Sequence, residues 1–369
     1  MLFGLQIHIF ALKCKPKESI TMKEIFSKRL KSARVLASLS QDQLVEKMEN
    51  TVSKNAISKY EKGEMMADST VLLALSKALN VKPDYFFRPF TVEIEKVEFR
   101  KKQKLSVKAV NAIKQTVTDF VERYIEVEQF LNITSAFANP VNDLPIATIK
   151  DIDKAALKVR AEWNLGLNAL PNVIDMLEDN EIKVIEVDAP DEFDGFSGWA
   201  DGKIPIIVIN KNYKMERKRL TALHELGHLI LKLDETISEK EKERFYFQFA
   251  GAMLMPEPTF KSEIGTIRSH FSIPELIVVK ETYGISIQAI MARAKDLGVI
   301  KQSPFIAFRK WISRNRTEEG LGNYQGSEQP FRFKQLIYRA AAEEIISLSK
   351  AANLSNQKLA QFRKEFVAL

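Results

Sequence analysis

Residues 220–231 read Leu-Thr-Ala-Leu-His-Glu-Leu-Gly-His-Leu-Ile-Leu. Their apolar residues recur at helical spacing, within a helical pattern over 215–233. On a helix, His224 and His228 stand one turn apart on one face. Two imidazoles so placed can bind one zinc ion, and Glu225 beside them can hold the water that zinc polarises and take its proton as general base. Gly227 allows a neighbouring backbone to approach closely. The bland alternative is a helix whose histidines satisfy core hydrogen bonds. Only four histidines occur in 369 residues, so two of them falling in His-Glu-x-x-His on an apolar helix favours the metal.

A catalytic zinc needs a third protein ligand. Downstream, Ser238-Glu239-Lys240-Glu241 forms a capping box that opens a helix over 239–255. Glu243, Phe247, Ala250 and Leu254 share one face of it. A carboxylate in line with an apolar stripe is costly to bury unless paired or on a metal, which favours Glu243 over Glu239 and Glu241. Glu235 and Glu239 stay open as alternatives, and Glu243 as a half-exposed surface acid is the bland reading. His270 and Tyr283 are oxyanion-stabiliser candidates by residue type alone.

Outward from this helix, EIKVIEV (181–187) reads as a strand and IPIIVIN (204–210) as a buried strand after the turn Asp201-Gly202. Ile152, Ala155, Val159 and Trp163 share a helical face, and 273–300 is helical. The pattern predicts an α+β unit with a small sheet over 146–300, followed by a mostly helical region over 301–369. ANPVNDLP (138–145) is the strongest chain break in the sequence and the expected domain boundary.

The N-terminal part is different in kind. Residues 22–90 read as a bundle of short helices, after an apolar extension over 1–21 with Met22 as a plausible start. Ser40 caps one helix, and Ser53 caps a second that Gly63 ends. Leu44, Val45, Ile57 and Tyr60 pack the two together. The other face shows Ser53, Lys54, Asn55, Ser58 and Lys59, side chains suited to base edges and phosphates. Residues 22–104 hold 17 basic against 11 acidic side chains, most of the chain's net +7. The bland alternative is a bundle that binds protein. Residues 91–100 alternate as a short strand or linker, and Ser106 opens a long helix over 106–131. Its stripe Val110, Ile113, Val117, Phe120, Tyr124, Val127 and Leu131 is either a homodimer seam or a face packed on the chain's own second domain.

Composition excludes several classes. One cysteine, Cys14, excludes a disulfide framework and a Cys-rich zinc finger and suggests a reducing, cytoplasmic setting. No run of about 18 apolar residues occurs, which excludes a spanning helix.

Residues 23–88 resemble an Xre/Cro-like repressor helix-turn-helix domain, through RLKSAR, LSQDQL, ISKYEKG and LLALSKALNVKPDYFF. The resemblance implies that Gln41 and the start of the second helix (Lys54, Asn55, Ser58) face double-stranded DNA. Residues 150–300 resemble the ImmA/IrrE family of zinc metallopeptidase domains, through the Arg160–Trp163 helix, GFSGWADGKIPIIVIN, KRLTALHELGHLIL, FAGAMLMP and YGISIQAIMARAKDLGVI. The family's third ligand falls on Glu243. The chain departs from it in carrying Tyr246 and Phe247 where the family often has Ala and Asn. The resemblance implies a zinc endopeptidase that cleaves a regulatory protein, a repressor or antitoxin-like partner, in a stress or mobile-element response. The alternative is a transcription regulator whose peptidase-like domain is a sensor or dimerisation module without proteolysis.

Overall fold

A computed structural model describes residues 21–90, 92–95, 106–134 and 136–367. The extension over 1–20 and most of the alternating segment 91–100 lie outside the described residues. The chain divides into two compact units, and the split falls after Phe90. Residues 138–145, the expected boundary, lie inside the second unit. Val141 is fully buried in its core, and the Asn139 amide donates to the Ile230 carbonyl at 2.9 Å. The Pro and Asn residues that suggested a linker are thus a tied-down turn.

The first unit contains α1 (Met22–Leu36), α2 (Gln41–Lys47), α3 (Lys54–Glu61) and α4 (Ser69–Leu79), then a 3₁₀ turn over Pro83–Phe87. Every helix is capped by a side chain: Thr21, Ser40, Ser53 and Asp68 each accept a first-turn N–H. Phe26, Leu30, Leu44, Ile57, Leu75 and Phe86 are fully buried between them. Arg34 holds α3 to α1 through Glu61, whose carboxylate also accepts from Gln41 at 2.9 Å.

The second unit begins with β1 (Ile94–Glu95), α5 (Val107–Phe130), β2 (Pro145–Ile146), α6 (Ile149–Glu162) and α7 (Val173–Asp179). Next come β3 (Lys183–Val187), β4 (Gly195–Ala200), β5 (Ile204–Asn210), α8 (Met215–Ile230), β6 (Lys232–Leu233) and α9 (Glu239–Leu254). The rest is α10 (Glu257–Ile264), α11 (Ile273–Tyr283), α12 (Ile287–Asp296), α13 (Gln302–Ile312), α14 (Arg332–Ala342), α15 (Leu348–Leu354) and α16 (Leu359–Glu365). One mixed sheet has the order β1-β4-β5-β3, with β3 parallel to β5 and β4 antiparallel to it. β2 and β6 form a separate parallel pair. α8 packs on β4 and β5 and against α9, which in turn packs on α6. The helical first unit and this α+β second unit are the classes the residue patterns predict.

The long helix α5 starts at the Ser106 cap as its sequence predicts. Its stripe is core and not a seam. Ile113 and Val117 pack with Ile185, Phe196 and Val208 over the sheet, and Tyr124 and Val127 pack with Phe333 and Ile337 of α14. Burying each such side chain contributes roughly 1.5–3 kcal/mol, so the stripe is already committed within its own chain. This corrects the homodimer-seam reading of residues 110–131.

The predicted helix over 273–300 is two helices. Gly284 ends α11 in the left-handed region at φ +59°, and a Cβ there would lie 2.5 Å from Arg219 Nε. Arg219 is fully buried, donates to the Leu170 carbonyl at 2.8 Å and pairs with Glu328.

Irregular residues 313–331 are held by acids at helix N-termini, where unpaired N–H groups favour negative charge. Glu318 accepts from Ile287 and Gln288 of α12 at 3.1 and 2.9 Å and pairs with Lys280 at 3.0 Å. Glu328 accepts from Val173 and Ile174 of α7. Glu178 accepts from the Phe331 and Arg332 N–H groups where α14 begins, both at 3.1 Å.

Burial pushes the Glu178 carboxyl up to about 7 from its ordinary 4.5. A carboxyl raised on folding stabilises the fold fully below its unfolded value, and that contribution is lost as pH rises through the folded value. The loss is on the order of 3 kcal/mol between about pH 5 and pH 8. The thermal midpoint of the wild type therefore falls more steeply across that window than that of Glu178→Gln. Equal slopes in thermal melts would remove Glu178 as the source.

Candidate metal centre

α8 forms because its apolar residues repeat on one side: Ala222, Leu223, Leu226 and Ile230 are buried in the core. That packing turns His224, Glu225 and His228 toward β4 and α9. Gly227 sits at the crossing with α9, where a Cβ would meet Tyr246 Cδ1 at 3.2 Å and Phe249 Cδ1 at 3.4 Å. The small residue thus sets the distance between the histidine helix and the helix that carries Glu243.

His224, His228 and Glu243 form one cluster whose candidate ligand atoms lie within 4.8 Å of one another. His224 Nε2 and His228 Nε2 are 3.1 Å apart. Glu243 Oε2 is 3.7 Å from His224 Nε2, and Glu243 Oε1 is 3.5 Å from His228 Nε2. Three donors around a tetrahedral zinc, each about 2.0–2.2 Å from it, stand roughly 3.3–3.5 Å apart. The triangle has that size, and an imidazole pair with one carboxylate is a donor set that zinc accepts. The two histidine side chains are 1% and 8% exposed, whereas Glu243 is 40% exposed, so the cluster opens toward solvent on the α9 side.

The competing acids lie elsewhere. Glu239 is exposed and pairs with Lys242 at 2.8 Å, Glu241 accepts from Ser238 at the cap of α9, and Glu235 is exposed before that helix. Neither oxyanion candidate belongs to the cluster. His270 is exposed beside Ser269. Tyr283 is buried at the end of α11, its hydroxyl pushed above the usual range by burial and by Glu263.

Glu225 is 2% exposed, and its Oε2 accepts the Ser197 hydroxyl at 2.9 Å. Ser197 lies on β4, 3% exposed, and was not foreseen as a site residue. Its segment GFSGWA carries two glycines and lacks the alternation of a strand, although one polar side chain in a mostly buried run was a usable signal. Tyr246 and Phe247, the departures from the resembled family, wall the cluster. The Tyr246 ring centroid is 3.8 Å from that of His228, and the Phe247 centroid is 4.3 Å from that of His224.

In the first unit, Ser53 caps α3, and Ser53, Lys54, Asn55 and Lys59 are exposed while Ser58 and Gln41 are half-buried. Lys54 pairs with Asp42 at 2.7 Å in solvent, an exchangeable contact worth little. The start of α3 therefore presents a polar, basic face.

Residues 30–86 match the family model described as a helix-turn-helix, and residues 177–295 match the peptidase family model described as an IrrE N-terminal-like domain. No curated protein matches the chain significantly. The three cluster residues, Glu225 and Ser197 fall inside the second match, and the exposed face of α3 falls inside the first. The chain thus joins an Xre-type DNA-binding helix-turn-helix domain to an ImmA/IrrE-like peptidase domain. No described helix is long and apolar enough to cross a membrane.

Proposed function

We propose that this fusion is a cytoplasmic DNA-binding regulator with a zinc-dependent endopeptidase that cleaves a regulatory protein, a repressor or antitoxin-like partner, in a stress or mobile-element response. The observation that carries the reading is the three-donor triangle of His224, His228 and Glu243 beside a buried, oriented Glu225. His224, His228 and Glu243 would hold the ion. When bound, zinc supplies positive charge that polarises a peptide carbonyl and lowers the pKa of water toward neutrality. Glu225, oriented by the Ser197 hydroxyl, takes the proton of the attacking water and passes it to the leaving amine. Glu225 and His224 are buried and the His228 side chain is 8% exposed, so the base itself meets little bulk water, while the cluster opens on the Glu243 side.

Gln41, Ser53, Lys54, Asn55, Ser58 and Lys59 would contact double-stranded DNA, with α3 in the major groove. Useful affinity for two half-sites calls for a homodimer, and with the α5 stripe committed to the core it would form through another surface. Attachment to DNA would raise the effective concentration of the peptidase near a DNA-bound substrate. A second reading, a metal-binding sensor or dimerisation module without proteolysis, is favoured by one observation: Tyr246 and Phe247 narrow the approach to the histidines.

Two measurements test the proposal. Cleavage of a protein substrate should vanish with a chelator and return with zinc. Cleavage that persists in chelator after purification to homogeneity would exclude this centre. Operator binding should weaken steeply with salt, and Lys54→Ala with Lys59→Ala should lower the log–log salt slope by about 2. A flat salt dependence in electrophoretic shift assays would refute DNA binding through this face.

A further inference from the structure

Between residues 297 and 317 the chain carries five basic side chains, Lys301, Arg309, Lys310, Arg314 and Arg316, and no acid. They lie on α13 and the turn after it, beyond the end of the peptidase family match at residue 295. All five are exposed, and none forms an ion pair among the described residues. The fold adds a sixth cation from a distant part of the chain. Exposed Lys214, at the start of α8, donates to the Thr317 carbonyl at 3.0 Å. Of the two acids that follow, Glu318 is buried and paired with Lys280, and Glu319 is exposed. Cations in the last turn of a helix suit its dipole, which accounts for Arg309 and Lys310. The dipole disfavours Lys301 at the N-cap, and it gives no reason for Arg316 beyond the helix end. Like charges gathered without acids repel one another and attract a polyanion.

The apolar side of α13 is already used. Phe305 and Phe308 pack on the core of the second unit, and Ile312 is buried. Only Ile306 and Trp311 stand out among the cations, 44% and 47% exposed. A helix that lies in a membrane surface needs a broad free apolar face, and α13 has spent its own inward. A phosphate backbone needs cations alone. The same chain carries a DNA-binding domain, which keeps a duplex at high effective concentration for any second basic surface on the molecule.

The geometry points to a second contact with double-stranded DNA, on the peptidase unit. Lys214, Lys301, Arg309, Lys310, Arg314 and Arg316 hold the phosphate backbone without reading its sequence. The contact itself needs neither α3 nor proteolysis. Lys214 precedes His224 by ten residues along α8, about 15 Å at helical rise. A duplex held here lies near the metal centre, so a protein bound to that duplex is presented to it without first dissociating.

The test uses the full-length protein and a fluorescein-labelled 30-base-pair duplex of mixed sequence, read by anisotropy over a range of salt. Arg309→Gln, Lys310→Gln, Arg314→Gln and Arg316→Gln together should lower the log–log salt slope by about 3–4. Binding at about 0.1 M salt should weaken at least about tenfold, with the melting temperature unchanged. If the fourfold variant melts lower, Lys310→Gln with Arg314→Gln replaces it, and the slope should fall by about 2. Trp311→p-benzoylphenylalanine should cross-link to the duplex on irradiation. An unchanged slope, or no cross-link, would overturn the assignment. Anionic phosphatidylserine vesicles bound as tightly as the duplex, and released by the same substitutions, would overturn it in favour of a membrane surface. Lys54→Ala with Lys59→Ala separates the two DNA faces. If only the α3 substitutions lower the slope, this contact falls and the α3 reading stands; if only the α13 substitutions do, the reverse holds.

Discussion

Glu225→Gln should lower peptide cleavage by about 10²–10⁴-fold while leaving about one zinc per chain and operator binding unchanged. The amide keeps the size and the acceptor oxygen of the carboxylate, so it can still accept the Ser197 hydroxyl that Glu225 Oε2 accepts at 2.9 Å. What it loses is the ability to take a proton. Glu225 is 2% exposed on a helix whose opposite side is packed in the core, so the substitution leaves the fold intact. Rate measurements on a cleaved substrate, metal content by mass spectrometry and a DNA shift assay are needed together. Loss of all three would point to a structural role for Glu225. Retention of cleavage would remove it as the base. Loss of cleavage alone is the expected result, and it separates the peptidase reading from the sensor reading, which needs no base.

His228→Ala should abolish the stabilisation that zinc confers. Any ion that binds the folded state alone stabilises it by mass action, by about 2.7 kcal/mol when free zinc is at 100 times its dissociation constant. The wild-type melting temperature should therefore rise as zinc is added. In His228→Ala the triangle is reduced to His224 and Glu243, which are 3.7 Å apart, and the carboxylate is 40% exposed. Such a pair binds the ion at least about a hundredfold more weakly. Melting curves at fixed zinc should then superimpose with those of the zinc-free variant. A wild-type shift that persists in His228→Ala would relocate the ion to other donors. Glu243→Ala should repeat the result, and it is the sharper test because its helix is distinct from that of the histidines.

The reading of α8 was available locally. A spacing of four on a helix puts His224 and His228 on one face whatever the rest of the chain does, because 3.6 residues per turn is a property of the backbone. The caps of α2, α3, α5 and α9 were equally local, since Ser40, Ser53, Ser106 and Ser238 each bond an N–H three residues on. Strand β5 was legible as an uninterrupted apolar run. β4 was not, because its glycines weaken the strand signal, and with it Ser197 escaped notice.

Everything that depends on which surface meets which was beyond local pattern. The stripe on α5 suited a partner copy as well as it suited β3 and α14, and amphipathicity names no partner. The acids Glu178, Glu318 and Glu328 look like ordinary surface charges until the chain brings them to helix N-termini thirty or more residues away. Glu243, which the apolar stripe of α9 already favoured, comes within 4.8 Å of both histidines only because α8 and α9 cross closely at Gly227. Short-range hydrogen bonding and helical repeat are written in a few consecutive residues, and they determined the helices and the histidine pair. Long-range packing is selected by the sum of many weak contacts, and only that sum brought the Glu243 carboxylate to the histidines and the Ser197 hydroxyl to Glu225.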